Sequence, residues 1–90
     1  MTNSTSKMYE LSPIHSGRKS FYGKATVSVE PGRDILISYT TPVAEVLEDG
    51  TARVFGHYSQ TTGRHIREFL LQHGKRAQQW SQIERDYMQV

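Results

Sequence analysis

The segment YSQTTGRHIREFLLQHG, Tyr58 to Gly74, carries the clearest local signals of the chain. Ile66, Phe69 and Leu70 recur at helical spacing. Thr61 and Thr62 stand just before that run, where a hydroxyl accepts from an orphan N–H of the first turn. Gly74 follows the last periodic residue and can take the left-handed conformation that ends a helix. The spacing predicts a helix over 61–73, and its apolar stripe needs a surface to bury it. Only the strand-like sequence on its N-terminal side offers one.

Moving back from the helix, Ala52, Val54, Gly56 and Tyr58 alternate with Arg53, Phe55 and His57, which predicts a strand over 51–58. Glu48-Asp49-Gly50 reads as a hairpin, Asp-Gly being a strong turn signal between apolar alternations. Before it, Ile35, Ile37 and Tyr39 share one parity and Leu36 the other, but after Pro42 the apolar parity passes to Ala44 and Val46. One long bent strand over 34–47, bulged at Thr40-Thr41-Pro42, accounts for this. Glu30-Pro31-Gly32-Arg33 supplies another turn. Ahead of it Phe21, Gly23, Ala25, Val27 and Val29 alternate with polar residues and Tyr22, a half-buried strand over 20–30. Tyr9 and Leu11 form at most a short edge strand in an irregular lead-in, and the polar residues 1–8 read as a disordered tail. Beyond Gly74, Ala77, Trp80, Ile83 and Tyr87 with Met88 predict a second helix over 76–88. The expected architecture is α+β over residues 9–90: an antiparallel three- to four-stranded meander packed by one helix and followed by a second.

Ninety residues make one domain. The absence of cysteine excludes disulfides, thiolate metal sites and a cysteine nucleophile. No apolar run is long enough to span a bilayer, and the N-terminus lacks the apolar core of a secretion signal, so a soluble cytoplasmic protein is expected. The net charge of +2 conceals an alternation. Residues 1–29 and 51–76 are basic, 30–50 acidic, and 77–90 weakly acidic, a pattern compatible with one basic face and an anionic partner.

His57, His65 and His73 recur at eight-residue intervals. Eight residues of helix separate two positions by roughly 12 Å and turn them about 80° apart, so His65 and His73 cannot share an ion, and no metal or cofactor is expected. There is no glycine-rich phosphate loop, nucleophile elbow or paired-carboxylate signature, which argues against an enzyme. Arg64 and Glu68, four apart, are expected to pair on the helix surface. Arg53, His57, Arg64, Arg67, Lys75 and Arg76 lie on or near the first helix and are the candidates for nucleic-acid contact. Tyr22, Phe55 and Tyr58 are either stacking platforms on an open sheet face or core. Trp80 and Tyr87 on the second helix are either aromatic anchors for a partner or core.

Three blocks bear on kinship: Lys19-Ser20-Phe21-Tyr22-Gly23, Ser38-Tyr39-Thr40-Thr41-Pro42-Val43-Ala44, and Ser59-Gln60-Thr61-Thr62-Gly63-Arg64-His65-Ile66-Arg67-Glu68-Phe69. With these the chain resembles a family of small uncharacterised proteins encoded by phages and related mobile elements, over about Lys19 to Gly74. The resemblance implies a phage or mobile-element origin and an α+β domain, and brings no assigned activity. It marks Ser59, Thr61, Thr62, His65 and Glu68 either as a motif that docks the helix on the sheet or as a binding surface, with His65 bonding across to a strand and Glu68 neutralising Arg64.

The function expected on these grounds is that of a non-enzymatic, phage-type binding protein. It would modulate host machinery in the bacterial cytoplasm by contact with a host or defence protein or nucleoprotein complex, as an inhibitor of CRISPR or another defence system would. The alternative is a basic nucleic-acid-binding accessory or regulatory protein using Arg53, Arg64, Arg67, Lys75 and Arg76.

Overall fold

The computed structural model describes residues 7–15, 20–56 and 58–88. Five strands, β1 (Lys7–Glu10), β2 (Ala25–Glu30), β3 (Arg33–Ser38), β4 (Thr41–Leu47) and β5 (Ala52–Val54), precede two helices, α1 (Gln60–Gln72) and α2 (Trp80–Tyr87). All strand pairs are antiparallel and the strand order follows the chain, so the sheet is a meander. The α+β class is as expected, but the described residues form five strands where three or four were predicted.

The extra strands have separate causes. The predicted strand 34–47 is a hairpin in which β3 turns at Tyr39-Thr40 and returns as β4, with Ser38 opposite Thr41. No glycine or asparagine announces that turn. Tyr39 itself takes φ 60° at the first loop position, a place where hairpins normally use glycine. The parity change after Pro42 is real and comes from a bulge in the returning strand: Leu36 faces Ala44 and Ile37 faces Pro42, so Val43 is the extra residue. The other additional strand is β1. Lys7 and Met8, expected in the tail, pair with Val29 and Ser28, because ladder hydrogen bonds need only backbone groups. Residues 1–6 of that tail lie outside the described residues.

Two predicted strands are shorter than expected. β2 begins only at Ala25, since Tyr22 and Gly23 ahead of it are both left-handed, at φ 56° and 74°. β5 ends at Val54, with one further backbone bond from Phe55 N–H to the Val43 carbonyl. The Pro31-Gly32 and Asp49-Gly50 turns stand where predicted, with the glycines at φ 90° and 94°.

Helix α1 lies on the sheet face that carries Val27, Leu36, Ala44, Val46 and Val54. Ile66, Phe69 and Leu70 are fully buried there, each contributing roughly 1.5–3 kcal/mol. Its N-cap is Ser59, two to three residues before the threonines expected to cap it, and the Ser59 hydroxyl accepts from the Thr62 N–H at 3.2 Å. At the other end Gly74, at φ 73°, donates to the Leu71 carbonyl and Lys75 to that of Leu70, the paired bonds of a Schellman motif.

Helix α2 starts at Trp80, later than the predicted residue 76. Side chains have taken the carbonyls that a longer helix would use. Gln82, buried, donates to the Arg76 carbonyl and accepts from the Gln78 N–H; Tyr87 also donates to Arg76, and Arg67 to Ala77. Ala77 and Ile83 complete the core, and Trp80 and Tyr87 pack half-buried against it.

Candidate functional site

Several polar residues of the third block converge where the N-terminal half of α1 meets the end of β3. Because Leu36 faces the core, so does Ser38 two positions on, and it meets the helix there. The Ser38 hydroxyl lies 2.9 Å from that of Thr62 and 2.8 Å from His65 Nδ1. Ser59 extends this chain, donating to the Thr62 hydroxyl at 3.3 Å. The expected bond from His65 to a strand is therefore present. It clamps the first turns of α1 to β3, and Phe21 meets the imidazole edge-on with ring centroids 4.6 Å apart.

Above the imidazole lies a cavity of about 290 Å³, lined by Ser20, Phe21, Tyr22, Lys24, Tyr39, Thr61, Arg64 and His65. Two turns build its rim. The Tyr22-Gly23 turn is held by the Ser20 hydroxyl, which accepts from the Tyr22 N–H, and by the Glu10 carboxylate, which accepts from the Gly23 N–H, each at 2.8 Å. The Tyr39 turn is tied back by its N–H to the Lys24 carbonyl at 2.7 Å. Tyr22 is 73% exposed and Tyr39 51%, and they are the only described non-glycine residues with positive φ. A left-handed conformation costs an ordinary residue roughly 1–2 kcal/mol. The Lys24 ammonium stands 6.0 Å from the centre of the Tyr39 ring, within cation–π range. Among the described residues no carboxylate lines the cavity, and neither Lys24 nor Arg64 has an ion-pair partner.

The remaining predicted residues are distributed differently. Arg64 and Glu68 do not pair. Glu68 turns inward, 2% exposed, and accepts from the His15 N–H and from the His15 ring at 2.8 Å each and from Gln72. Burial alone would raise the Glu68 carboxyl, but these hydrogen bonds hold it below its ordinary value. Arg67 is engaged with the Ala77 carbonyl, and Lys75 and Arg76 lie beyond the far end of α1. Arg53 is opposite Glu45 on the sheet face away from α1, and exposed Phe55 shares its parity. His57 lies outside the described residues. The structure thus joins Thr61, Arg64 and His65 to one site and leaves the other cations outside it. Sequence reasoning missed Lys24, Tyr39 and Ser38. The only signal for Ser38 and Tyr39 was the second block, Ser38 to Ala44, and Lys24 had none.

Among the described residues no three of His, Asp and Glu come together as a metal site would require, and no helix is long and apolar enough to cross a membrane. A family model matches residues 9–86, from the first sheet strand to the second helix. The chain belongs to DUF8033, a family of unknown function. Comparisons with curated proteins and with solved structures returned no match. The DUF8033 match includes every residue that lines the cavity.

Proposed function

We propose that this DUF8033 protein is a non-enzymatic binding protein whose ligand is single-stranded nucleic acid, taken at the cavity over His65. The observation that carries the reading is the rim. Two exposed tyrosines are held in a costly backbone conformation beside two cations that, among the described residues, have no ion-pair partner. Strain of that kind persists where the surrounding structure enforces it, and it concentrates at binding sites. Exposed aromatic rings stack on any base, and lysine and arginine neutralise the phosphates between bases. The non-enzymatic part rests on Ser38, which is 2% exposed and already bonded to Thr62 and His65, so the Ser–His pair serves docking and offers no accessible nucleophile.

The test is fluorescence anisotropy with labelled oligothymidine, oligouridine and a duplex across a salt series. Single strands are expected to bind better than the duplex. Tyr39→Ala should cost about 1–3 kcal/mol of binding. Lys24→Ala and Arg64→Ala should each flatten the logarithmic salt slope by about 0.7. Equal binding of duplex and single strand, or none of either, would sink the reading.

Contact with a host or defence protein, the phage-type role, is favoured by a different observation. The sheet face away from α1 carries half-buried Ile35 and Ile37 with exposed Met8 and Phe55, and neither helix covers it. A discrete protein captured from bacterial lysate, resistant to nuclease and lost on Ile37→Lys, would move the function to that face.

A further inference from the structure

The cavity over His65 has a neighbour. Across Arg64, the residues Tyr58, Ser59, Gln60, Gly63 and Trp80 enclose a second recess of about 350 Å³. Arg64 is the one described residue that lines both. Each recess also has its own aromatic side chains, Tyr22 and Tyr39 in the first and Tyr58 and Trp80 in the second. The surface therefore runs aromatic, cation, aromatic over the N-terminal half of α1. No described carboxylate lines the second recess either.

A single strand has the complementary repeat, a planar base, a phosphate and another planar base. Arg suits the middle position because its planar fork bonds two phosphate oxygens at once and its face also stacks on a base. Gly63, which lines the second recess beside Arg64, lowers the helix surface there, and a Cβ built on it meets nothing within 4 Å. The floor beside Arg64 is thus open for a sugar–phosphate to cross.

We propose that the two recesses are successive nucleotide subsites on one strand. The phosphate between two bases sits on Arg64, one base lies against Tyr39, and the next lies against Tyr58 and Trp80. This rests on the nucleic-acid reading above and adds to it a minimum ligand of two nucleotides and a path over α1. Trp80 gives the second subsite a direct reporter, because the chain has no other tryptophan.

The experiment titrates the full chain with thymidine monophosphate, the dinucleotide pTpT, oligothymidine and oligouridine, reading Trp80 emission alongside anisotropy. Ligands of two or more nucleotides should quench or shift Trp80 emission and bind more tightly than the monophosphate. Tyr58→Ala should weaken them about five- to a hundred-fold while leaving the monophosphate unaffected. Because Trp80 packs against the core, Trp80→Ala risks the fold, and Tyr58→Ala keeps the proposal open to refutation. Oligonucleotide binding that needs Tyr39 but neither changes Trp80 emission nor responds to Tyr58→Ala would overturn the second subsite and leave the first standing. Absence of any oligonucleotide binding would remove both. The same Trp80 response in the thymidine and uridine series supports the track, and a preference between the two shows that the site reads the base methyl or the 2′-hydroxyl.

Discussion

At the C-terminal half of α1 the polar side chains are closed into the protein. Glu68 holds the His15 segment and Gln72, and His73 reaches Asp34 at 2.8 Å while its other ring nitrogen faces the Phe69 carbonyl at 2.9 Å. At the N-terminal half, five or so residues away, Arg64 faces two recesses, and Lys24 the first of them, that no described carboxylate lines. Both halves look similarly charged in the sequence. What separates them is whether the fold brings an opposite group within reach, so counting basic residues along a helix does not locate an anion site.

Removing Glu68 attacks the closed half. Glu68→Ala strands the His15 and Gln72 donors, and we expect a loss of about 2–3 kcal/mol in urea unfolding, with oligonucleotide affinity unchanged. An equal loss of affinity would show that the two halves are not independent. Acid should act on the same contact. A carboxyl held below its unfolded value binds fewer protons folded than unfolded, so its stabilisation is present above the ordinary carboxylate range and is lost as pH falls through the folded value. Thermal melts from neutral to acidic pH should show that loss, and Glu68→Gln should flatten it.

Tyr39→Gly probes the open half in the opposite sense. Relief of the left-handed conformation should stabilise by about 1 kcal/mol, raising Tm by roughly 4–8 °C for a domain of this size, while binding weakens. A stability gain with no binding loss would mean that the strained tyrosine has no part in recognition. The smallest effect is expected from Gly63→Ala, a gain of about 0.5–1 kcal/mol from helix propensity. Its Cβ has room, so any fall in affinity for the dinucleotide would trace the strand across that point.

Helix α1 was legible because its stripe and its Gly74 stop are local, as were the Pro31-Gly32 and Asp49-Gly50 turns, where glycine occupies the positive φ it is chosen for. The Tyr39-Thr40 turn was not, since a tyrosine stands where a glycine is usual and only the surrounding contacts hold it there. That one turn hid much of the site, because it folds Ser38 and Tyr39 toward residues more than twenty positions away. Arg64, His65 and Thr61 could be named from the helix alone. Lys24 could not, and Arg53 was grouped with them by nearness in sequence although strand parity puts it on the other face. The late start of α2 was hidden likewise, in the side-chain bonds of Gln82 and Tyr87 to a carbonyl ahead of the helix.

The bond from Glu68 to His15 spans 53 residues, whereas β2 to β5 are joined by short hairpins. Closing so long a loop costs more entropy than any of those turns, and the contact has no meaning until the sheet and α1 are already together. The segment at Ser12–His15 is therefore expected to dock on the native side of the folding barrier. In stopped-flow experiments Glu68→Gln should hasten unfolding and leave the refolding rate nearly unchanged, which makes this segment the latch that sets how long a folded molecule stays folded.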